Sequence, residues 1–183
     1  ADVGVWCCDE APGFAAARYN YAVLLHRRND PGTALVEIER LLAVDPRTPS
    51  YRNLHAVILS RVGEYARSSE VYAQLLREYP RNAKVWLSYG HVLKTAGRQD
   101  DCIAAYRRSL DHEPGFGDAY WSLANLKTFR FDAADLAAMQ AQVARPELDA
   151  KNRLQFHFAL GKAFEDSGDH ARSFGHYAEG NAL

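Results

Sequence analysis

"KVWLSYGHVLKTAGR", Lys84 to Arg98, carries Trp86, Tyr89, Gly90 and Leu93 at steps of three and four, with a second glycine at Gly97. Steps of three and four place side chains on one face of an α-helix. Gly90 in the middle of that face suits a close approach by a partner helix, because a larger side chain there would hold the two backbones apart. Gly97 suits a helix end, where a positive φ costs glycine little. Just beyond, Cys102, Tyr106 and Leu110 form the inward stripe of a second helix, and Pro114 ends it. The stretch therefore predicts a helical hairpin.

The hairpin recurs. Pro12, Pro46, Pro80 and Pro114 are evenly spaced, and at the same 34-residue period Ala22, Ala56, Gly90 and Ala124 form a column of small residues. Leu25, Leu59 and Leu93 form a second column, with Lys127 as its fourth member. Leu42, Leu76 and Leu110 form a third, and Ile38, Tyr72 and Tyr106 a fourth. Gly63 and Gly97 occupy the turn, with Asn29 in their place in the first unit. One such hairpin cannot bury its apolar faces alone, so consecutive hairpins are expected to stack into an all-α, right-handed α-α superhelix with a continuous core.

The pattern of Trp, Leu or Tyr-Gly, turn Gly, Ala, aromatic and closing Pro resembles the tetratricopeptide repeat (TPR) family, most strongly from Gln74 to Phe116. The expected organisation is residues 1–14 as the tail of a preceding repeat, then repeats at 15–48, 49–82 and 83–116. An irregular fourth unit at 117–150 and a fifth, truncated unit at 151–183 follow. The fourth starts with "GDAYWSLANL", but Lys127 replaces the column leucine, Phe131 the turn glycine and Leu148 the closing proline. A helix from Ala133 to Ala144, capped by Asp132, is expected within it, with Phe129 and Phe131 filling the gap left by the altered turn. Gly161, Gly168 and Tyr177 resume the pattern. The chain starts at Ala1 and stops inside a helical pattern, so it reads as part of a longer protein.

The phrases "KVWLSYGHVLKTAGRQDDCIAAYRRSL", "YWSLANLKTFRF" and "RLQFHFALGKAFEDSGDHARSFGHYAEGNAL" look like the repeat region of bacterial TPR-containing sulfotransferases. That resemblance implies a following domain that transfers a sulfuryl group from 3'-phosphoadenosine 5'-phosphosulfate. The Gly/Arg/Ser-rich loop that would hold this cofactor does not occur between Ala1 and Leu183. No cofactor or catalytic residue is therefore assigned to the chain, and this fragment is not expected to be an enzyme.

With 48% hydrophobic and 25% charged residues and a net charge of -1, composition gives no reason to expect a nucleic-acid or anionic-membrane partner. The N-terminus lacks the order of a signal peptide and no apolar run is long enough to span a bilayer, so a cytoplasmic chain is expected. Cys7, Cys8 and Cys102 make a poor disulfide set. The seven histidines form neither HExxH nor a Cys/His zinc spacing, and no metal site is expected. His55 falls in an inward column and reads as a core histidine.

The first helix of each hairpin is expected to line a concave groove. The register nominates Tyr19, Val23, His26 and Arg27, then Asn53, Val57 and Arg61, then Lys84, Leu87, His91 and Lys94. Trp121, Asn125 and Thr128 follow from the fourth unit, and Phe158 and Lys162 from the fifth. Arg and Lys would pair with carboxylates, Asn would grip a backbone and the aromatics would cover apolar side chains, which fits an extended acidic peptide or protein partner. Taken singly, each is more readily an ordinary solvated position. Tyr19 and Val23 stand where the carboxylate clamp of chaperone-binding TPR domains has Lys and Asn, so chaperone tails are not expected. The competing reading is a free-standing scaffold or self-association domain with no enzyme attached.

Overall fold

The computed structural model describes residues 15–183, and the readings placed on residues 1–14, Cys7 and Cys8 among them, lie outside the described residues. Every regular element among the described residues is a helix. They are α1 (Ala15–Arg27), α2 (Pro31–Val44), α3 (Pro49–Arg61), α4 (Tyr65–Glu78), α5 (Ala83–Thr95), α6 (Gln99–His112), α7 (Gly117–Ala124), α8 (Ala133–Val143), α9 (Ala150–Asp166) and α10 (His170–Asn181). The fold class is an all-α solenoid of helical hairpins.

Local chemistry sets the helix ends. Pro31 and Pro49 occupy the first turns of α2 and α3, where a missing N–H costs nothing. Asp30, Asp149 and Asp169 each cap a helix by accepting a hydrogen bond from the backbone N–H three residues on. The turns between paired helices need a left-handed residue. Gly63, Gly97 and Gly168 supply it at φ of 89°, 75° and 78°, and Asn29, the amino acid next best suited to that region, supplies it at 60°.

The chain divides into two compact units, one holding the residues up to Arg81 together with His91–Gln99, the other Asn82–Gly90 together with Asp100–Leu183. In the first, α2 packs on both α1 and α3, and α3 on α4. Its core includes Ala22, Leu25, Ile38, Leu41, Leu54 and Ile58. The buried hydroxyl of Ser68 on α4 donates to the Ala56 carbonyl of α3 at 2.7 Å, so this polar group is satisfied without water.

In the second unit the small-residue column has its clearest use. A Cβ on Gly90 would sit 2.4 Å from the Tyr106 ring, and one on Gly161 would sit 2.8 Å from the Tyr177 ring. Each aromatic thus lies directly against bare backbone of the facing helix.

The irregular hairpin departs from the pattern at α7, which is only eight residues long. The buried leucine is Leu126 rather than a residue at 127, and Lys127 is exposed. Phe129 and Phe131 are half-buried, edge to face at 5.0 Å, and Phe131 lies 6.2 Å from Tyr120. α8 is held by Asp135, which takes part in a capping box with Asp132 and pairs through both oxygens with the Arg107 guanidinium of α6, the Nη2–Oδ2 contact being 2.7 Å. Arg107 also lies over the Phe129 ring at 5.3 Å. At its other end, the Gly117 N–H donates to the Asn152 side chain of α9 at 2.8 Å, where a Cβ on Gly117 would meet the Asn152 backbone oxygen at 2.7 Å.

Candidate partner-binding surface

In the first unit, Arg27 lies in the last turn of α1 and Arg61 in the last turn of α3, both exposed. Between them is the half-buried His26. Its Nδ1 is buried and accepts or donates no hydrogen bond within the chain. Burial, then the charges of Arg61 and Arg27, hold its imidazole pKa below the ordinary histidine value. The two exposed guanidiniums, whose charges both act on this ring, are a ready receptor for a carboxylate.

Tyr19 and Asn53 are half-buried, and the Tyr19 ring lies 5.5 Å from Tyr51. Tyr19 is thus partly committed to packing between α1 and α3. His91 and Lys94 are both exposed on α5. A separate cleft of about 490 Å³ in this unit is bordered by Arg18, Arg40, Leu41 and Tyr51. Arg18 and Arg40 both reach Glu37, at 2.8 and 2.7 Å.

In the second unit, Lys84 is exposed on α5. Trp121 is half-buried, edge to face with Phe158 at 5.6 Å, and Phe158 continues to Tyr177 at 5.8 Å. Two of the nominated aromatics, 37 residues apart in sequence, therefore form one patch. Asn125 closes the end of α7, its side-chain amide donating to the Trp121 carbonyl at 2.8 Å. Lys162 pairs with Asp166 and lies 3.9 Å from Glu165, so carboxylates of its own helix already answer its charge. Tyr177 donates its hydroxyl to Glu165 at 3.2 Å, and burial beside that carboxylate pushes the phenol up to about 12.

Sequence reasoning missed one constellation. His157 of α9 meets His176 and Glu179 of α10, although no local motif joins them and 19 residues separate the two histidines. His55, read as a core histidine, is half-buried, with Nε2 3.5 Å from a Glu39 carboxylate oxygen.

Stacked helical hairpins with a small residue facing an aromatic define a class of repeat protein, and residues 53–115 match the tetratricopeptide repeat family. The chain shows this likeness over about a third of its length. It is similar to the small glutamine-rich tetratricopeptide repeat-containing protein 2 of Mycosarcoma maydis, with 23% identity over 121 residues, 66% of this chain and 34% of that protein. The chain thus spans about a third of that relative's length. Among solved structures, MamA from residue 41 onward of Desulfovibrio magneticus RS-1 matches with a TM-score of 0.66 and 20% identity over 92% of this chain and 94% of that one. YrrB, described as a TPR protein with an unusual peptide-binding site, matches with a TM-score of 0.62 and 15% identity over 97% and 90%. These likenesses establish the fold. No described helix is long and apolar enough to cross a membrane.

Proposed function

We propose that the chain is a protein-interaction module whose first unit takes an extended acidic peptide segment of a partner. The observation that carries this reading is the pair of exposed guanidiniums of Arg27 and Arg61, close enough for both charges to act on His26. The arginines supply the charge and the forked donors that select a carboxylate. The peptide-binding description of YrrB, a structure of the same fold, supports the general role. The test is fluorescence anisotropy with a fluorescein-labelled hexaglutamate peptide and a Gly/Ser peptide of equal length. The acidic peptide is expected to bind better, with an affinity that falls as salt rises. Arg61→Glu, an exposed change that leaves the core intact, is expected to weaken it about tenfold or more, the equivalent of roughly 1.4 kcal/mol or above. Equal binding of both peptides, or an unchanged affinity in the variant, rejects the acidic-partner reading.

The parent context rests on the sequence resemblance alone. On that basis the module orients an acceptor for a sulfotransferase domain that uses 3'-phosphoadenosine 5'-phosphosulfate and lies outside Ala1–Leu183. Sulfuryl transfer by the parent reading frame, with none by this chain, is the expected result. Silence in both removes the enzyme context and leaves a binding scaffold.

A further inference from the structure

We propose that His157, His176 and Glu179 form a binding site for a divalent transition-metal ion of the zinc class, with two imidazole nitrogens and one carboxylate oxygen as ligands. His176 and Glu179 are three apart on α10 and share a face, and His157 comes from the facing helix α9. His157 Nδ1 lies 3.2 Å from His176 Nδ1 and 3.2 Å from Glu179 Oε2, and the three ligand atoms fall within 4.8 Å of one another. Ligands at about 2.0–2.1 Å from a tetrahedral ion stand about 3.3 Å from each other, so two of the three edges already have the required length. The third closes by rotation of the Glu179 side chain, which is 68% exposed and free to swing.

Proton bookkeeping points the same way. If His157 Nδ1 lacks a proton, its one lone pair can accept from His176, and the Glu179 carboxylate oxygen then faces a nitrogen with no hydrogen to donate. If it carries one, that single N–H must serve both the carboxylate and the second imidazole. A cation at the centre satisfies all three lone pairs at once. Imidazole must be neutral to ligate, so binding is expected to release protons and to weaken as pH falls.

The rings are held in place. Phe164 stacks on His176 with centroids 5.5 Å apart and 11° between planes, and Arg172 covers the other ring of that stack at 4.3 Å from the Phe164 centroid. Gly180 is buried, and a Cβ there would meet His157 Cβ at 3.3 Å and the Phe158 ring at 3.1 Å. A bare backbone at this point brings α10 close enough for the three side chains to converge. Two imidazoles and a carboxylate suit Zn²⁺, Co²⁺ or Ni²⁺, with water completing the shell on the exposed side.

The test uses the untagged chain freed of metal with chelator. Titration with Zn²⁺ in a calorimeter is expected to give one equivalent, and Co²⁺ is expected to give visible ligand-field bands that Zn²⁺ abolishes. Glu179→Gln, at an exposed position, and His176→Asn, at a half-buried one, should each weaken binding at least tenfold while the circular dichroism of the chain is unchanged. His112→Asn, at an exposed histidine on α6, should bind as the parent does. No saturable binding, undiminished binding in either ligand variant, or equal loss in His112→Asn overturns the site.

Discussion

At the scale of the residue, the glycines separate two roles that the sequence alone presents as one. Gly90 is the floor on which the Tyr106 ring rests, and Tyr106 is wholly buried and cannot swing away. Adding a methyl group gains about 1 kcal/mol of helix propensity, but its Cβ would fall 2.4 and 2.5 Å from two ring carbons, and overpacking of this kind costs about 1–3 kcal/mol and sometimes more. Crowding wins, so Gly90→Ala is expected to lower the denaturation midpoint. Gly175 lies in α10 with no atom within 4 Å of a would-be Cβ. Gly175→Ala should raise the midpoint by the propensity gain of about 0.5–1 kcal/mol. Urea unfolding of the two variants beside the parent checks both signs. The role of Gly90 was legible in the sequence because its neighbours at three and four steps are aromatic and aliphatic. That of Gly180 was not, because the residues it accommodates, His157 and Phe158, are more than twenty positions away.

At the scale of the element, α8 shows how an irregular hairpin is kept in place without the usual column leucine and turn glycine. Asp135 does two jobs: it completes the capping box with Asp132 and it holds both ends of the Arg107 guanidinium from a buried position. Asp135→Ala removes one half of the cap, worth about 0.5–2 kcal/mol, and leaves Arg107 over Phe129 without its carboxylate. A loss of about 2–4 kcal/mol is expected, larger than for an exposed ion pair because Asp135 is out of solvent. Amide exchange should accelerate in Ala133–Val143 more than in α9. Equal acceleration throughout the second unit would mean that α8 is not separately anchored. Sequence patterning identified Asp132 as a cap and a helix over this segment, since capping is local. The Arg107–Asp135 pair spans 28 residues and joins two helices, so no window along the chain could display it.

At the scale of the whole molecule, a strict 34-residue period made the solenoid of hairpins legible, since period, small column and aromatic column all demand the same hairpin. The candidate surface was legible only as a set of outward positions. What burial and neighbours do to each of them is decided in three dimensions: Lys162 is answered by Asp166, Trp121 is covered by Phe158, and His26 is left with a buried nitrogen and no partner. The last of these makes the first unit sensitive to acid. His26 faces Arg61 and Arg27, and His55 faces Glu39 and Arg67. In both, burial is the leading cause of a pKa lowered from 6.5, and at His55 it outweighs the opposing pull of Glu39. The unfolded chain therefore binds more protons than the folded one as pH falls below about 6.5, and stability falls with it. The thermal midpoint is expected to be steady above pH 7 and to drop between pH 6.5 and 5. His26→Asn, which keeps a polar group in the same place but cannot be protonated there, should flatten that drop. A midpoint that stays level or rises between pH 6.5 and 5, or an unchanged drop in His26→Asn, would mean that these imidazoles do not govern stability in this range.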